Sequence, residues 1–270
     1  MKKIIHEITR NDTKRTIFFV SFRVISWIEV FALIFFLISG AACANFHSTQ
    51  KENKANMTNG GQIAPVVYTA LGDSTGAGVG ARTGGGYVAR IFERIRKERP
   101  QSRLNNLCVS GATTDDVLRG QLRPAINSHP TLVTLGIGIN DIGHGLSIET
   151  FARNYAEIVR QLKEETSARL VITNIPDISL APVVPVNARD ETRRRVQLFN
   201  EKIEAIARQY GLLVVDAYSE THNSIPSHPE FFSDDGFHPS ALGYTQWAET
   251  MWPAIKAAID ETQDNEKLKR

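Results

Sequence analysis

The sequence predicts an α/β protein, a parallel sheet with helices on both faces. Two observations carry this. Five short apolar runs rich in Val, Ile and Leu recur after residue 62, and longer segments with apolar residues at helical spacing lie between them. Strands that alternate with helices pair in parallel, because each helix carries the chain back to the same end of the sheet.

The runs are APVVYTAL (64–71), LNNLCVS (104–110), TLVTLGI (131–137), RLVITNI (169–175) and GLLVVDA (211–217). Their continuous apolar character fits strands covered on both faces. The first helical segment, 87–99, carries Val88, Ile91, Phe92 and Ile95 on one face. The second, 151–165, carries Tyr155, Ile158, Val159 and Leu162. The third, 189–210, sets Val196, Phe199, Ile203 and Ile206 opposite its charges. The last, 241–259, carries Tyr244, Trp247, Ala248, Met251 and Ile255. Right-handed crossovers then gather the C-terminal strand ends on one edge, where loops hold a site.

A chain of 270 residues accommodates one such domain plus extra segments. Of 31 Lys/Arg and 29 Asp/Glu, residues 1–44 hold six and three, which leaves 25 and 26 for the rest. The folded part is near neutral and has no basic footprint for nucleic acid. The TRRR cluster at 192–195 reads as a solvated helix face. Cys43 and Cys108 give neither a disulfide framework nor metal spacing, and Cys108 reads as a small buried apolar residue.

Residues 1–44 read as a signal peptide or a membrane anchor. Basic residues precede the run VFALIFFLISGAACA (30–44), which is short for a membrane span of roughly 20 residues. Two cleavage patterns overlap. Ala42-Cys43-Ala44 has the small-x-small form of an ordinary signal, and Gly40-Ala41-Ala42-Cys43 resembles a bacterial lipobox with glycine in place of its usual leucine. The second pattern would lipidate Cys43 and tether the protein to a membrane. Residues 45–62 are polar, a flexible linker between leader and domain. The domain is expected over 63–262, with a charged tail at 263–270.

The chemistry-bearing residues fall just past strand ends. Asp73 and Ser74 follow the first run in GDSTGAGVG, with no P-loop lysine and an acid at the turn where a dinucleotide loop places glycine. The glycines then serve to turn the backbone and leave Ser74 uncovered. Ser74 supplies a hydroxyl, and His238 can serve as its base. Asp235, three residues earlier, can orient the imidazole. The backbone N–H groups of Ser74 and Gly111, with the Asn140 amide, can form an oxyanion hole. Asp73 and Asp141 border these positions and read as supports for their loops. His129, His144, His222 and His228 show no H-E-x-x-H or H-x-H spacing, and His144 reads as a rim residue.

GDST (72–75), SGATTDDV (110–117), GIGINDI (136–142) and DGFHPSALGY (235–244) together resemble blocks I, II, III and V of the SGNH hydrolases, the GDSL esterase/lipase family. Thr75 stands where the family name has leucine. The resemblance implies a three-layer α/β/α fold with a five-stranded parallel sheet of flavodoxin-like order. It implies hydrolysis of esters or thioesters without a cofactor or metal, through Ser74, His238 and Asp235. The substrate would be a small-molecule, lipid or polysaccharide ester. The loop PDISLAPVVPVNA (176–188) either borders an acyl pocket or packs as a rigid cover. A carbohydrate acetylesterase, an acyltransferase and a non-catalytic surface module on the same fold are the alternatives. The sequence leaves the oligomeric state open.

Overall fold

A computed structural model describes residues 63–268 of the chain. The leader, Cys43 and the linker lie outside the described residues. All five apolar runs contain strands: β1 (Val67–Gly72), β2 (Arg103–Asn106), β3 (Leu132–Gly136), β4 (Arg169–Thr173) and β5 (Leu213–Val215). They form one sheet in the order β2-β1-β3-β4-β5, and every pair is parallel. This is the flavodoxin-like order that the resemblance implies. Gly72 pairs with Gly136, so β1 and β3 end level and the loops after them start side by side.

The helices are α1 (Ser74–Ala77), α2 (Tyr87–Glu98), α3 (Thr114–Asp116), α4 (Leu122–Asn127), α5 (Ile139–Gly143), α6 (Ile148–Glu165), α7 (Arg189–Tyr210), α8 (Ala217–Ser224) and α9 (Ala241–Leu268). A π-helical turn, Val117–Gln121, joins α3 to α4. One core lies under α4, α6 and α7, where Leu135 and Ile172 meet Tyr155, Ile158, Phe199 and Ile203. The other lies under α2 and α9, where Tyr68 and Val171 meet Ile91, Ile95, Met251 and Ile255. Adjacent strand residues such as Val171 and Ile172 serve opposite cores, which is why the runs are continuous rather than alternating.

The structure departs from the expected pattern in places. β2 and β5 are edge strands with exposed ends at Arg103, Asn106 and Leu213, so they are not covered on both faces. Cys108 lies past the end of β2 and is half-buried. Its Sγ rests against Gly76, where a Cβ would come within 2.3 Å of it. A helix begins at Ser74 itself, ahead of the one expected at Tyr87. The backbone of α9 remains helical through Leu268, into the charged tail.

Candidate active site

Ser74 is the first residue of α1, directly after β1. Asp73 caps this helix, and its Oδ1 accepts from the Thr75 N–H at 2.9 Å and the Thr75 hydroxyl at 2.8 Å. Asp73 is almost fully buried, and that burial raises its carboxyl to about 6, against the pull of the Thr75 bonds and of His238. The glycine-rich loop then returns toward the far end of the site. At Gly80 φ is +87° and a Cβ would lie 2.7 Å from the Pro239 carbonyl, so only glycine lets this loop seat against the one that carries His238.

His238 lies in the loop before α9, 164 residues from Ser74 in sequence. Its Nε2 is 2.9 Å from Ser74 Oγ, and its Nδ1 is 2.6 Å from Asp235 Oδ2. The other oxygen of Asp235 accepts from the Phe237 and His238 N–H groups and from the Ser233 hydroxyl, at 2.8–2.9 Å. Burial opposes ionisation of Asp235. The bond to His238 and those from the loop outweigh it and hold the carboxyl below the usual range. A carboxylate fixed on Nδ1 leaves Nε2 as the nitrogen that can take a proton from Ser74.

Gly111 and Asn140 meet across one residue, where Asn140 Nδ2 donates to the Ala112 carbonyl at 2.9 Å. That bond uses one amide hydrogen and leaves the second for a ligand. Gly111 has φ +81° and open space where a side chain would be. Neither the Ser74 nor the Gly111 N–H finds an acceptor among the described residues. Asp141 is fully buried and accepts from the Thr114 N–H at 3.0 Å and the Thr114 hydroxyl at 2.5 Å. Burial pushes its carboxyl up, with the Thr114 bonds in partial opposition. Asn140 and Asp141 thus tie the loop after β3 to the loop after β2 at two adjacent points.

All seven residues singled out in the sequence therefore stand at the C-terminal edge of the sheet. His144 caps the end of α5 on the exposed surface. In the TRRR cluster, Arg193 pairs with Asp190 and Asp177, Arg194 with Glu191, and Arg195 bonds the Leu146 carbonyl. Sequence reasoning missed the partners Thr114 and Gln121. Each is a lone polar residue whose contact lies 27 or 49 residues away, with no local signal.

An apolar chamber of about 80 Å³ lies beside His238 and Thr75. Ile139, Ile178, Ala181, Phe237 and Trp247 line it, so the loop after β4 does border a pocket. A wider, open depression of about 700 Å³ adjoins Gly111, with Ser110, Asp116 and Arg119 on its walls.

Comparison with known proteins finds relatives among ester-hydrolysing enzymes. Esterase TesA of Pseudomonas aeruginosa is 25% identical over 73% of this chain and 92% of its own length. An acetylxylan esterase of Geobacillus stearothermophilus is 26% identical over 63% of this chain and 80% of its own. The solved structure of the acetyl xylan esterase Axe2, from the same organism, shares the fold with a TM-score of 0.61 at 21% identity, over 72% of this chain and 96% of that one. The GDSL-like lipase/acylhydrolase family matches residues 70–246, and the chain belongs to that family of ester-hydrolysing enzymes.

Proposed function

We propose that this protein is an exported serine esterase that cleaves acyl esters or thioesters through Ser74, His238 and Asp235. The observation that carries the reading is the unbroken chain from Ser74 Oγ through the His238 imidazole to Asp235, at 2.9 and 2.6 Å. Ser74 Oγ attacks the ester carbonyl as His238 Nε2 takes its proton. The Ser74 and Gly111 N–H groups and the free Asn140 hydrogen receive the oxyanion, each worth roughly 3 kcal/mol of barrier. His238 returns the proton to the departing alcohol. Water then attacks the acyl-enzyme by the same route, and Asp235 stabilises the imidazolium in both halves.

The apolar chamber supports an acyl chain as the group held beside the nucleophile. At roughly 10–15 Å³ for each water-sized body, its volume suits a chain of about five to eight carbons. A second reading, deacetylation of a carbohydrate, draws on the open depression beside Gly111 and on the acetylxylan esterase relative. A panel of p-nitrophenyl esters from acetate to palmitate, run beside acetylated xylan and a thioester, separates the two. Product analysis with an added acceptor alcohol tests acyl transfer.

Fluorophosphonate labelling tests the nucleophile. The wild type should label at Ser74, and Ser74→Ala should lose both label and turnover while it keeps its fold. Labelling that survives in Ser74→Ala overturns the assignment. Export rests on the order of parts in residues 1–62. N-terminal sequencing of the mature protein distinguishes a cut after Ala44 from lipidated Cys43, and a cytosolic chain that starts at Met1 refutes both.

A further inference from the structure

The loop that brings Gly111 to the site continues into a turn of unusual form. Residues Val117–Gln121 are π-helical, and the Leu122 N–H reaches back five residues to the Val117 carbonyl. This wide turn lets Val117, Gln121 and Leu122 all face inward. Gln121 is a polar residue only 3% exposed, so its amide must find partners within the protein. It finds both on one residue. Gln121 Oε1 accepts from the Gly72 N–H at 2.8 Å, and Nε2 donates to the Gly72 carbonyl at 2.8 Å.

The sheet leaves the Gly72 N–H in need of a partner. The β1–β2 pairing ends at Ala70 opposite Asn106. Gly72 lies two residues further on, so its N–H and carbonyl point to the same side, past the end of β2. There Gln121 Oε1 stands in for the strand carbonyl that the Gly72 N–H lacks. The Gly72 carbonyl also accepts from the Val109 N–H at 3.1 Å, and the Val109 carbonyl accepts from the Ala112 N–H at 3.1 Å. Gly72 is two residues before Ser74, and Val109 is two before Gly111. One backbone carbonyl is thus shared between the turn that carries the nucleophile and the loop that carries the second oxyanion donor.

We propose that Gln121 is a positioning residue that sets the distance between the Ser74 and Gly111 N–H groups. It rests on Ser74 being the nucleophile. Without the Gln121 amide the Gly72 N–H is a buried orphan, and the Gly72–Val109 bond and the Asn106 Nδ2 bond to the Gly76 carbonyl are left to link the two loops. The oxyanion forms only in the transition state, so a widened hole lowers kcat and spares KM.

Two variants test this on the folded enzyme. Gln121→Met keeps the length and removes both bonds. Its kcat on p-nitrophenyl butyrate should fall by about 10²-fold, with KM within about threefold of wild type. Gln121→Glu provides a readout that bulk packing would not move. A neutral carboxylic acid accepts from the Gly72 N–H and donates to its carbonyl as the amide does, whereas the carboxylate meets that carbonyl with like charge. The ratio of its kcat to that of wild type should therefore fall as pH rises from 5.5 to 9, reversibly and without unfolding. A flat ratio in Gln121→Glu, or a kcat within about twofold of wild type in folded Gln121→Met, overturns the proposal. Gln121→Glu retains both bonds when neutral, so it decides the matter if Gln121→Met does not fold. Fluorophosphonate keeps the two readings apart. A wild type that does not label at Ser74 refutes the nucleophile, and variants that label at the wild-type rate refute only the role of Gln121.

Discussion

Thr75 donates both its backbone N–H and its hydroxyl to one oxygen of Asp73, a carboxylate buried directly behind the nucleophile. Where the family name has leucine, this chain has a hydroxyl that partly offsets the burial of that acid. The offset is incomplete, because the carboxyl remains raised from 3.8 to about 6.

That shift has a definite sign. Between pH 3.8 and about 6 the folded protein holds a proton that the unfolded chain has released. Stability therefore falls as pH rises through this window and stays low above it. Asp73→Asn removes the titration and retains an oxygen for Thr75. The variant should gain about 1–3 kcal/mol at pH 8, with the gain gone near pH 4. It also gives up the negative charge that faces His238, so its kcat should fall. Thermal unfolding of both proteins from pH 4 to 8 checks the first point; a gain that is largest at pH 4 contradicts it.

Asp235 carries the opposite shift. Its carboxyl is lowered, so it stays ionised throughout the working range and contributes no acid limb of its own to the pH–rate profile. Asp235→Asn keeps the shape but loses the charge that fixes the imidazole tautomer, and kcat should fall by about 10²–10⁴-fold. The side chain is 46% exposed, so the cost appears in turnover far more than in stability. A kcat near that of wild type would show that water or the Ser233 hydroxyl orients His238 unaided.

The strands and the site were legible in the sequence for different reasons. β3 is buried along its full length, and a strand with no solvent face must be continuously apolar. Ser74 and Asn140 stand in short contiguous blocks just past strand ends, and His238 stands in such a block ahead of α9, beyond α8 rather than directly after β5, so order along the chain sufficed to find them. α1 is only four residues long, too short for a helical period to register. The stretch 114–127 contains Gly120, Pro124 and a π turn, which together break the 3.6-residue rhythm. Gln121 and Thr114 act through partners that only the fold brings near.

The clamp between the loops after β2 and β3 predicts a shared loss. Asp141 accepts two bonds from Thr114 and lies beside Asn140, which itself holds the Ala112 carbonyl. Asp141→Ala leaves a buried Thr114 N–H unpaired, which costs about 1–3 kcal/mol. Asn140 and Gly111 should loosen together, so kcat falls as well. Thr114→Val removes only the hydroxyl and should cost less in both measurements. An Asp141→Ala enzyme with full activity and lowered stability would separate the clamp from the oxyanion hole.

The chamber beside His238 predicts how chain length enters the rate. Its lining is almost wholly apolar, and Ala181 contributes a wall that is 1% exposed. An acyl chain that fills it gains roughly 0.8 kcal/mol for each methylene removed from water, close to fourfold in kcat/KM. Rates on p-nitrophenyl esters should therefore climb from acetate and level off once the chamber is full, at about five to eight carbons. Ala181→Leu subtracts part of that volume without a polar change. It should move the maximum to shorter chains and slow acetate less than the longer esters. If Ala181→Leu slows every ester equally, the substituted side chain disturbs His238 rather than the acyl site. If rates are flat from acetate to palmitate in the wild type, the chain lies outside the chamber, and the open depression beside Gly111 becomes the surface that reads the substrate.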